Sequence, residues 1–331
     1  MCKGVNTIKM MKTLLYLLWC MSYYEYSSKA PRWMEGVYWG YKTNDELETI
    51  SSSFQENGYV IIRKALPLKV VDELYQRFPR QNTIATSFIE YVVSHSMGQF
   101  STLGGLWVND DVFYYVWTKS MILSMLEACM VTNHIRLLTD YVVGIKGGVN
   151  EHNIVGKYHS DSTSFDIIDQ YGISVWIPLT DIYPDTGGSI IMIGNNKIDP
   201  ICLKQDKQYS KYCIQQFQDN HEVSSYSKGD ILLFSQNSIH KTQLLLNNTW
   251  MYALIGQFFD GNKASFQKTN SGIVQRKKSC KSYEPNYQTN ILHSSCFPKI
   301  GSIQDTRKYI TRDSKIKTII KIVSNFRHYH Y

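Results

Sequence analysis

Five short segments between residues 141 and 259 constrain the fold more than any other feature of the sequence. They read YVVGI from residue 141, GISVWIPL from 172, SIIMI from 189, DILLF from 230 and MYALIGQFF from 251. All are rich in branched and aromatic residues, and Gly, Pro, Asn and Asp separate them, as is typical of strands joined by turns. A parallel doubly wound sheet would need regular helices between the strands, and the sequence lacks that pattern here. The spacing therefore predicts a sandwich or jelly roll.

Helical periodicity precedes these strands. Leu47, Ile50 and Phe54 recur at helical spacing, and Gly58 is placed to end that helix. Pro67 suits the first turn of a second helix, and residues 111–130 predict a third. We therefore expect a mainly β fold with flanking α-helices around a jelly-roll, cupin-like core.

The two ends of the chain differ in composition from the predicted β domain at residues 45–262. Residues 1–30 contain an apolar stretch that ends near the small residues before Ala30. This pattern resembles a signal peptide, and the alternative is an apolar segment that packs on the core. The sequence leaves the location of the protein open and favours the cytoplasm over secretion.

Residues 263–331 form a basic C-terminal extension. From Ala264 to Tyr331 there are 13 Lys and Arg against 3 Asp and Glu, a charge of +10 in a chain whose net charge is +7. A stripe of Ile, Val and Phe over residues 316–326 predicts a terminal amphipathic helix. This helix could contact a membrane surface, although docking on its own domain is the preferred interpretation. Without a groove-reading motif, no nucleic acid partner is expected, and the oligomeric state stays open.

The seven cysteines give no pattern of a metal site or a disulfide framework. Their number is odd, and no Cys-x-x-Cys pair is present. We therefore expect reduced and mostly buried thiols.

A candidate metal site begins in the segment KYHSD at residues 157–161. His159 and Asp161 are separated by one residue, which puts both side chains on one face of an extended chain. His240 follows 79 residues after Asp161, directly behind the strand segment DILLF, so a jelly roll can bring it to the same barrel mouth. Two imidazoles and one carboxylate leave three positions of an ion open, as in non-haem Fe(II) oxygenases.

Four longer blocks occur in the order NGYVIIRKAL, YHSD, ISVWIPLTDIYPDTGGSIIMIGNN and KGDILLFSQNSIH. In order and interval they resemble the phytanoyl-CoA dioxygenase family of Fe(II)/2-oxoglutarate oxygenases. The resemblance extends from about Phe54 to Phe259 and is most specific in the VWIPLTD block. It implies a double-stranded β-helix, which agrees with the strand pattern.

The resemblance also implies roles for particular residues. His159, Asp161 and His240 would be the catalytic iron ligands, with Fe(II) and 2-oxoglutarate as cofactors. Trp176 would line the co-substrate site, or it would be a core aromatic on an inward-facing strand. Thr242 would contact the 2-oxoglutarate carboxylate, or it would be an ordinary strand threonine.

The sequence departs from the family at one position. An Arg is expected about a dozen residues after the distal His, where it pairs with the far carboxylate of 2-oxoglutarate, and Met251 stands there instead. Loss of such a charge-assisted hydrogen bond weakens binding by roughly 1.5–3 kcal/mol. Lys146 or Lys241 could substitute for the Arg, or Thr242 and Tyr252 could bind 2-oxoglutarate weakly.

These features predict an Fe(II)- and 2-oxoglutarate-dependent dioxygenase. It would hydroxylate a small molecule, whose identity the sequence does not reveal, while 2-oxoglutarate is decarboxylated to succinate. Two alternatives stay open: a catalytically degenerate jelly-roll binding module, and a non-haem iron enzyme with another co-substrate.

Overall fold

The computed structural model describes the predicted β domain and part of its surroundings. The described residues are 31–34, 42–77, 99–101, 106–147, 156–164, 167–168, 172–203, 209–246, 250–263 and 265–266. The predicted segment at residues 1–30 and the predicted terminal helix lie outside the described residues.

The elements are numbered here in chain order. The strands are β1 (Tyr59–Ile62), β2 (Gln99–Ser101), β3 (Ile135–Lys146), β4 (Ile167–Ile168), β5 (Ile173–Pro178), β6 (Ile190–Ile193), β7 (His221–Val223), β8 (Ile231–Ser235), β9 (His240–Thr242), β10 (Trp250–Asp260) and β11 (Ser265–Phe266). The α-helices are α1 (Asn44–Asn57), α2 (Leu68–Arg77), α3 (Leu106–Asn109), α4 (Asp111–Lys119), α5 (Ile122–Met130), α6 (Pro200–Leu203) and α7 (Lys211–Asp219). Short 3₁₀ turns lie at Arg32–Met34, Asp161–Ser164 and Asn195–Lys197.

Two antiparallel sheets form the core of the fold. The major sheet has the strand order β1-β8-β5-β10-β3-β2, and the minor sheet has the order β7-β6-β9. A separate pair joins β4 and β11. Neighbours in these sheets are often distant in sequence, as in a jelly roll. The architecture confirms the predicted fold class, a mainly β jelly-roll core with flanking helices.

Every residue of β5 is buried because the major sheet is covered on both faces. Ile173, Val175 and Ile177 belong to the core beneath the helices. Trp176 points to the opposite face, in accordance with the two-residue period of a strand. There the major sheet packs against the minor sheet. We call the side chains between the sheets the interior cluster, which contains Tyr59, Val143, Trp176, Ile182, Ile190, Met192, Tyr226, Leu232, Phe234, Met251 and Ala253.

The helices cover the outer face of the major sheet. Helix α1 begins as a capping box, in which Thr43 and Glu46 bond each other's backbone N–H groups. It ends at Gly58, whose φ of 79° lies in the left-handed region that glycine adopts without strain. Helix α2 starts immediately after Pro67. These bounds agree with the sequence predictions.

The helix predicted at residues 111–130 is two helices, α4 and α5. The break falls at Ser120, which is fully buried. Its hydroxyl donates to the carbonyl of Val116 (2.6 Å) and accepts from the N–H of Ile122 (3.2 Å). A buried side chain thus satisfies backbone groups at the end of one helix and at the start of the next, which periodicity alone does not reveal.

The prediction of reduced thiols was wrong for two of the cysteines. Cys202 of α6 and Cys213 of α7 form a disulfide, with their Cα atoms 5.5 Å apart. Their spacing of 11 residues is no recognisable motif, and the pairing depends on how the two helices pack. Cys129 is free and buried, as expected.

Within the described part of the chain, no helix is both long and apolar enough to cross a bilayer.

Candidate metal centre

Two histidines from distant segments lie side by side at one end of the barrel. His159 forms an isolated antiparallel bridge with His240, the first residue of β9. Their backbones exchange two hydrogen bonds of 2.9 Å, and their ring centroids are 4.3 Å apart. A directly opposed pair with both backbone bonds formed holds the two side chains on the same face.

Asp161 completes the cluster from a different local structure than the sequence predicted. It begins a 3₁₀ turn, Asp161–Ser164, and is not part of an extended strand. The turn is fixed by the N–H of Ser162, which donates to the carbonyl of Gln236 (2.8 Å). Oδ1 of Asp161 lies 3.7 Å from Nε2 of His240. The carboxylate therefore reaches the same point as the imidazoles, although the backbone between His159 and Asp161 bends.

Hydrogen bonds orient all three side chains. Nδ1 of His159 lies 2.8 Å from the carbonyl of Lys157, and Nδ1 of His240 lies 3.0 Å from the carbonyl of Ser238. Because a carbonyl can only accept, Nδ1 carries the proton in the neutral form of both rings, which leaves the lone pair on Nε2. One potential ligand atom from each of the three residues lies within 4.8 Å of the others.

Ser174 holds the remaining carboxylate oxygen. Its hydroxyl donates to Oδ2 of Asp161 at 2.6 Å, and Ser174 itself is fully buried on β5. Oδ1 is left to face the histidines. The sequence analysis missed this residue, although its place two residues before Trp176 marks it as facing the same interior side of the strand.

The electrostatics of the cluster suit a cation. Burial of the ring, reinforced by the neighbouring His159, lowers the pKa of His240 to about 4, while Asp161 and the Ser238 carbonyl act in the opposite direction. His240 is therefore neutral at pH 7 and able to donate its lone pair. The side chain of His240 is 7% exposed and that of Asp161 is 17% exposed. His240 is therefore buried, whereas Asp161 is partly accessible to solvent.

The two residues assigned to the co-substrate site lie deeper in the barrel. Trp176 is buried in the interior cluster, and its ring meets Tyr226 edge-on at 4.9 Å. Thr242 lies opposite Ile190 on β6 and two residues beyond His240, so it faces the same side of β9 as His240. Both positions are compatible with a co-substrate that extends inward from the metal centre, and equally with plain core packing.

Met251 lies on the interior face, where the family would have its Arg. It is 2% exposed and is paired with Ile145 across β10 and β3. Its neighbours in the interior cluster are apolar. Met251 thus places an apolar side chain, and no cation, at this position of the interior face.

Two of the residues suggested as substitutes for that Arg lie away from the interior face that carries Met251. The ammonium of Lys241 lies 4.4 Å from the ring centre of Tyr158, on the opposite face of β9 from Thr242. Tyr252 packs in the outer core and stacks on Trp250, with ring centroids 5.7 Å apart. The backbone of Lys146 pairs with Trp250, and its side chain lies outside the described part. Lys241 and Tyr252 therefore do not take the place of the missing Arg.

Comparison with solved structures shows the same fold. The non-haem alpha ketoglutarate dependent epimerase SnoN from nogalamycin biosynthesis, in complex with Fe3+, alpha ketoglutarate and nogalamycin RO, aligns with a TM-score of 0.58 at 14% identity, over 77% of this chain and 99% of that one. The carbocyclase SnoK from the same biosynthesis aligns with a TM-score of 0.55 at 14% identity, over 78% of this chain and 96% of that one. At such identity the likeness concerns the fold.

The comparison with curated proteins finds no match. The family model of phytanoyl-CoA dioxygenase (PhyH), in contrast, matches residues 54–245, which is more than half of the chain. The matched range includes His159, Asp161 and His240. The chain therefore belongs to the phytanoyl-CoA dioxygenase family.

Proposed function

We propose that this chain is an Fe(II)- and 2-oxoglutarate-dependent dioxygenase that hydroxylates a small molecule. The observation that carries the proposal is the cluster of His159, Asp161 and His240, whose ligand atoms lie within 4.8 Å of one another. Membership of the family supports an oxygenase, and the small-molecule ligand in the SnoN complex supports a small-molecule substrate.

The donor set fits Fe(II). Two neutral imidazoles and one carboxylate bind a divalent ion from one side and leave positions open for a chelating co-substrate and O₂. Fe(II) bound there would activate O₂, so that one oxygen atom enters the substrate C–H bond and the other enters succinate as 2-oxoglutarate loses CO₂.

Hydrogen bonds and packing within the protein support this arrangement of the ligand atoms. Lys157 and Ser238 fix the proton on Nδ1 of each histidine through their carbonyls. Ser174 keeps Asp161 from rotating. Such outer hydrogen bonds typically determine ligand orientation and basicity. The buried interior cluster excludes water from the inner side of the centre.

Trp176 and Thr242 are the proposed co-substrate contacts, since both face inward beneath the centre. The apolar side chain of Met251 favours a second candidate function. A hydrocarbon surface at that position suits an iron oxygenase whose 2-oxo acid co-substrate has no far carboxylate, because an unpaired buried carboxylate is unfavourable.

The experiment is metal titration followed by turnover. Mn(II) binding, followed by electron paramagnetic resonance, is expected for the unmodified protein and not for His159→Ala. With Fe(II), ascorbate and saturating 2-oxoglutarate, the unmodified protein should form succinate above the level of the same variant. Metal binding without succinate would refute the coupled reaction, and equal Mn(II) binding by both proteins would refute the site.

A further inference from the structure

Gln257 presents a buried amide on the inner face of the major sheet. It lies on β10 directly opposite Ser174 of β5, and residues paired across antiparallel strands share a face. Gln257 is 1% exposed. Its Oε1 has no hydrogen-bond donor in the described part of the chain. An unsatisfied acceptor thus lies beside the serine that holds Asp161.

Gln236 places a second amide near Ser174, from the turn directly after β8, the neighbour of β5 on its other side. Its N–H donates to the carbonyl of Gly172 (2.9 Å), two residues before Ser174. Glycine at 172 leaves room for this amide, since a Cβ there would collide with it. Gln236 is 2% exposed, and its Nε2 finds no acceptor among the described residues. The two amides therefore lie on either side of the start of β5, where Ser174 bonds Asp161.

Buried polar atoms in folded proteins nearly always have a partner, because an unsatisfied donor or acceptor destabilises the structure. A buried polar atom without a partner therefore suggests a place where a ligand supplies the missing hydrogen bond. Here the two unsatisfied atoms differ in character: Oε1 of Gln257 accepts and Nε2 of Gln236 donates. A neutral group that both donates and accepts hydrogen bonds satisfies both, and a carboxamide or a hydroxyl has this property.

We propose that Gln236 and Gln257 form the polar part of the substrate site and select a substrate with a carboxamide or hydroxyl group near the reacting carbon. The inference rests on the proposed iron centre, which the substrate would approach from the side of Asp161 and Ser174.

The first test asks whether the amide of Gln257 is unsatisfied in the free protein. Gln257→Met keeps the length of the side chain and removes the polar atoms, so Tm should rise by about 2–4 °C. Gln243→Met is the matched control. Oε1 of Gln243 also lacks a partner among described residues, but its Nε2 donates to the carbonyl of Pro184 (2.8 Å). Its Tm should therefore not rise. A lower Tm for Gln257→Met would overturn the assignment.

The second test uses two small probes of the same shape. Mn(II) is loaded into the centre, and the relaxation of probe protons is measured by NMR. Butyramide offers a donor and an acceptor, whereas 2-pentanone offers only an acceptor. Mn(II) should enhance the proton relaxation of butyramide roughly three- to tenfold more than that of 2-pentanone, as expected for the tighter binding that one additional hydrogen bond gives.

The variants assign this difference to the two amides. Gln257→Met should make the relaxation of butyramide equal to that of 2-pentanone. Gln236→Met should reduce the relaxation of both probes. Gln243→Met should leave both values unchanged. Equal relaxation by the two probes with Mn(II) bound, or a preference that survives Gln257→Met, would overturn the amide assignment alone. Failure of Mn(II) to bind would instead refute the metal centre.

Discussion

Removal of the Ser174 hydroxyl should weaken metal binding without removing any metal ligand. The hydroxyl donates to Oδ2 of Asp161 at 2.6 Å from a fully buried position, so water cannot readily replace it in Ser174→Ala. A hydrogen bond to a charged group contributes about 1.5–3 kcal/mol. Asp161 would be free to rotate, and its Oδ1 would no longer be held towards His240. We expect the Kd for Mn(II) to rise roughly 10- to 100-fold.

The assay is calorimetric titration of Mn(II) into the metal-free protein. Ser189→Ala is the matched control, because Ser189 is equally buried but bonds the backbone carbonyl of Ser224, at the end of the minor sheet and not at the metal centre. Its Kd should match that of the unmodified protein. A Kd for Ser174→Ala within twofold of the unmodified protein, with the Tm preserved, would refute the view that Ser174 positions Asp161.

Three further predictions concern the co-substrate end, the disulfide and pH. Met251→Arg should lower the Kd of the Mn(II)-loaded protein for 2-oxoglutarate about tenfold or more, while Met251→Leu should not; no change with Arg would favour a co-substrate without a far carboxylate. Cys202→Ser should reduce the free energy of unfolding by about 3 kcal/mol in urea denaturation, because the disulfide closes a loop of 11 residues. Reductant should destabilise the unmodified protein and Cys129→Ala, which keeps the disulfide, but not Cys202→Ser. Equal effects of reductant on Cys202→Ser and the unmodified protein would contradict the prediction. The metal-free protein should lose stability as the pH falls from about 6.5 towards 4, because the unfolded chain then protonates His240 while the folded chain does not. Thermal melts should show a flatter pH profile for His240→Gln in that window, and identical profiles would argue against this residue as the cause.

Local patterns in the sequence were sufficient for much of the fold. Runs of branched and aromatic residues separated by turn residues predicted the strands, and helical spacing with Gly58 predicted α1 and its end. These signals are local because hydrogen bonding and side-chain direction depend on neighbours a few residues away. The same reasoning failed at Ser120, where a buried hydroxyl divides one periodic segment into two helices.

The candidate site, too, was predictable from the sequence only in part. Residue type and family resemblance were enough to select His159, Asp161 and His240 from the sequence, and the fold brings them together. The resemblance also drew attention to Met251, and the structure adds that its surroundings are apolar. What these residues bind stays a proposal.

The sequence by itself determined the class of fold, the family and the three candidate ligands, because each depends on residue types at particular intervals along the chain. Only the tertiary structure decided what surrounds them: the Ser174 bond to Asp161, the two unsatisfied amides and the Cys202–Cys213 disulfide. The partners in these features come from strands, turns and helices that are far apart in sequence or carry no motif. Their contacts arise from sheet register and helix packing, which no single segment of the chain encodes.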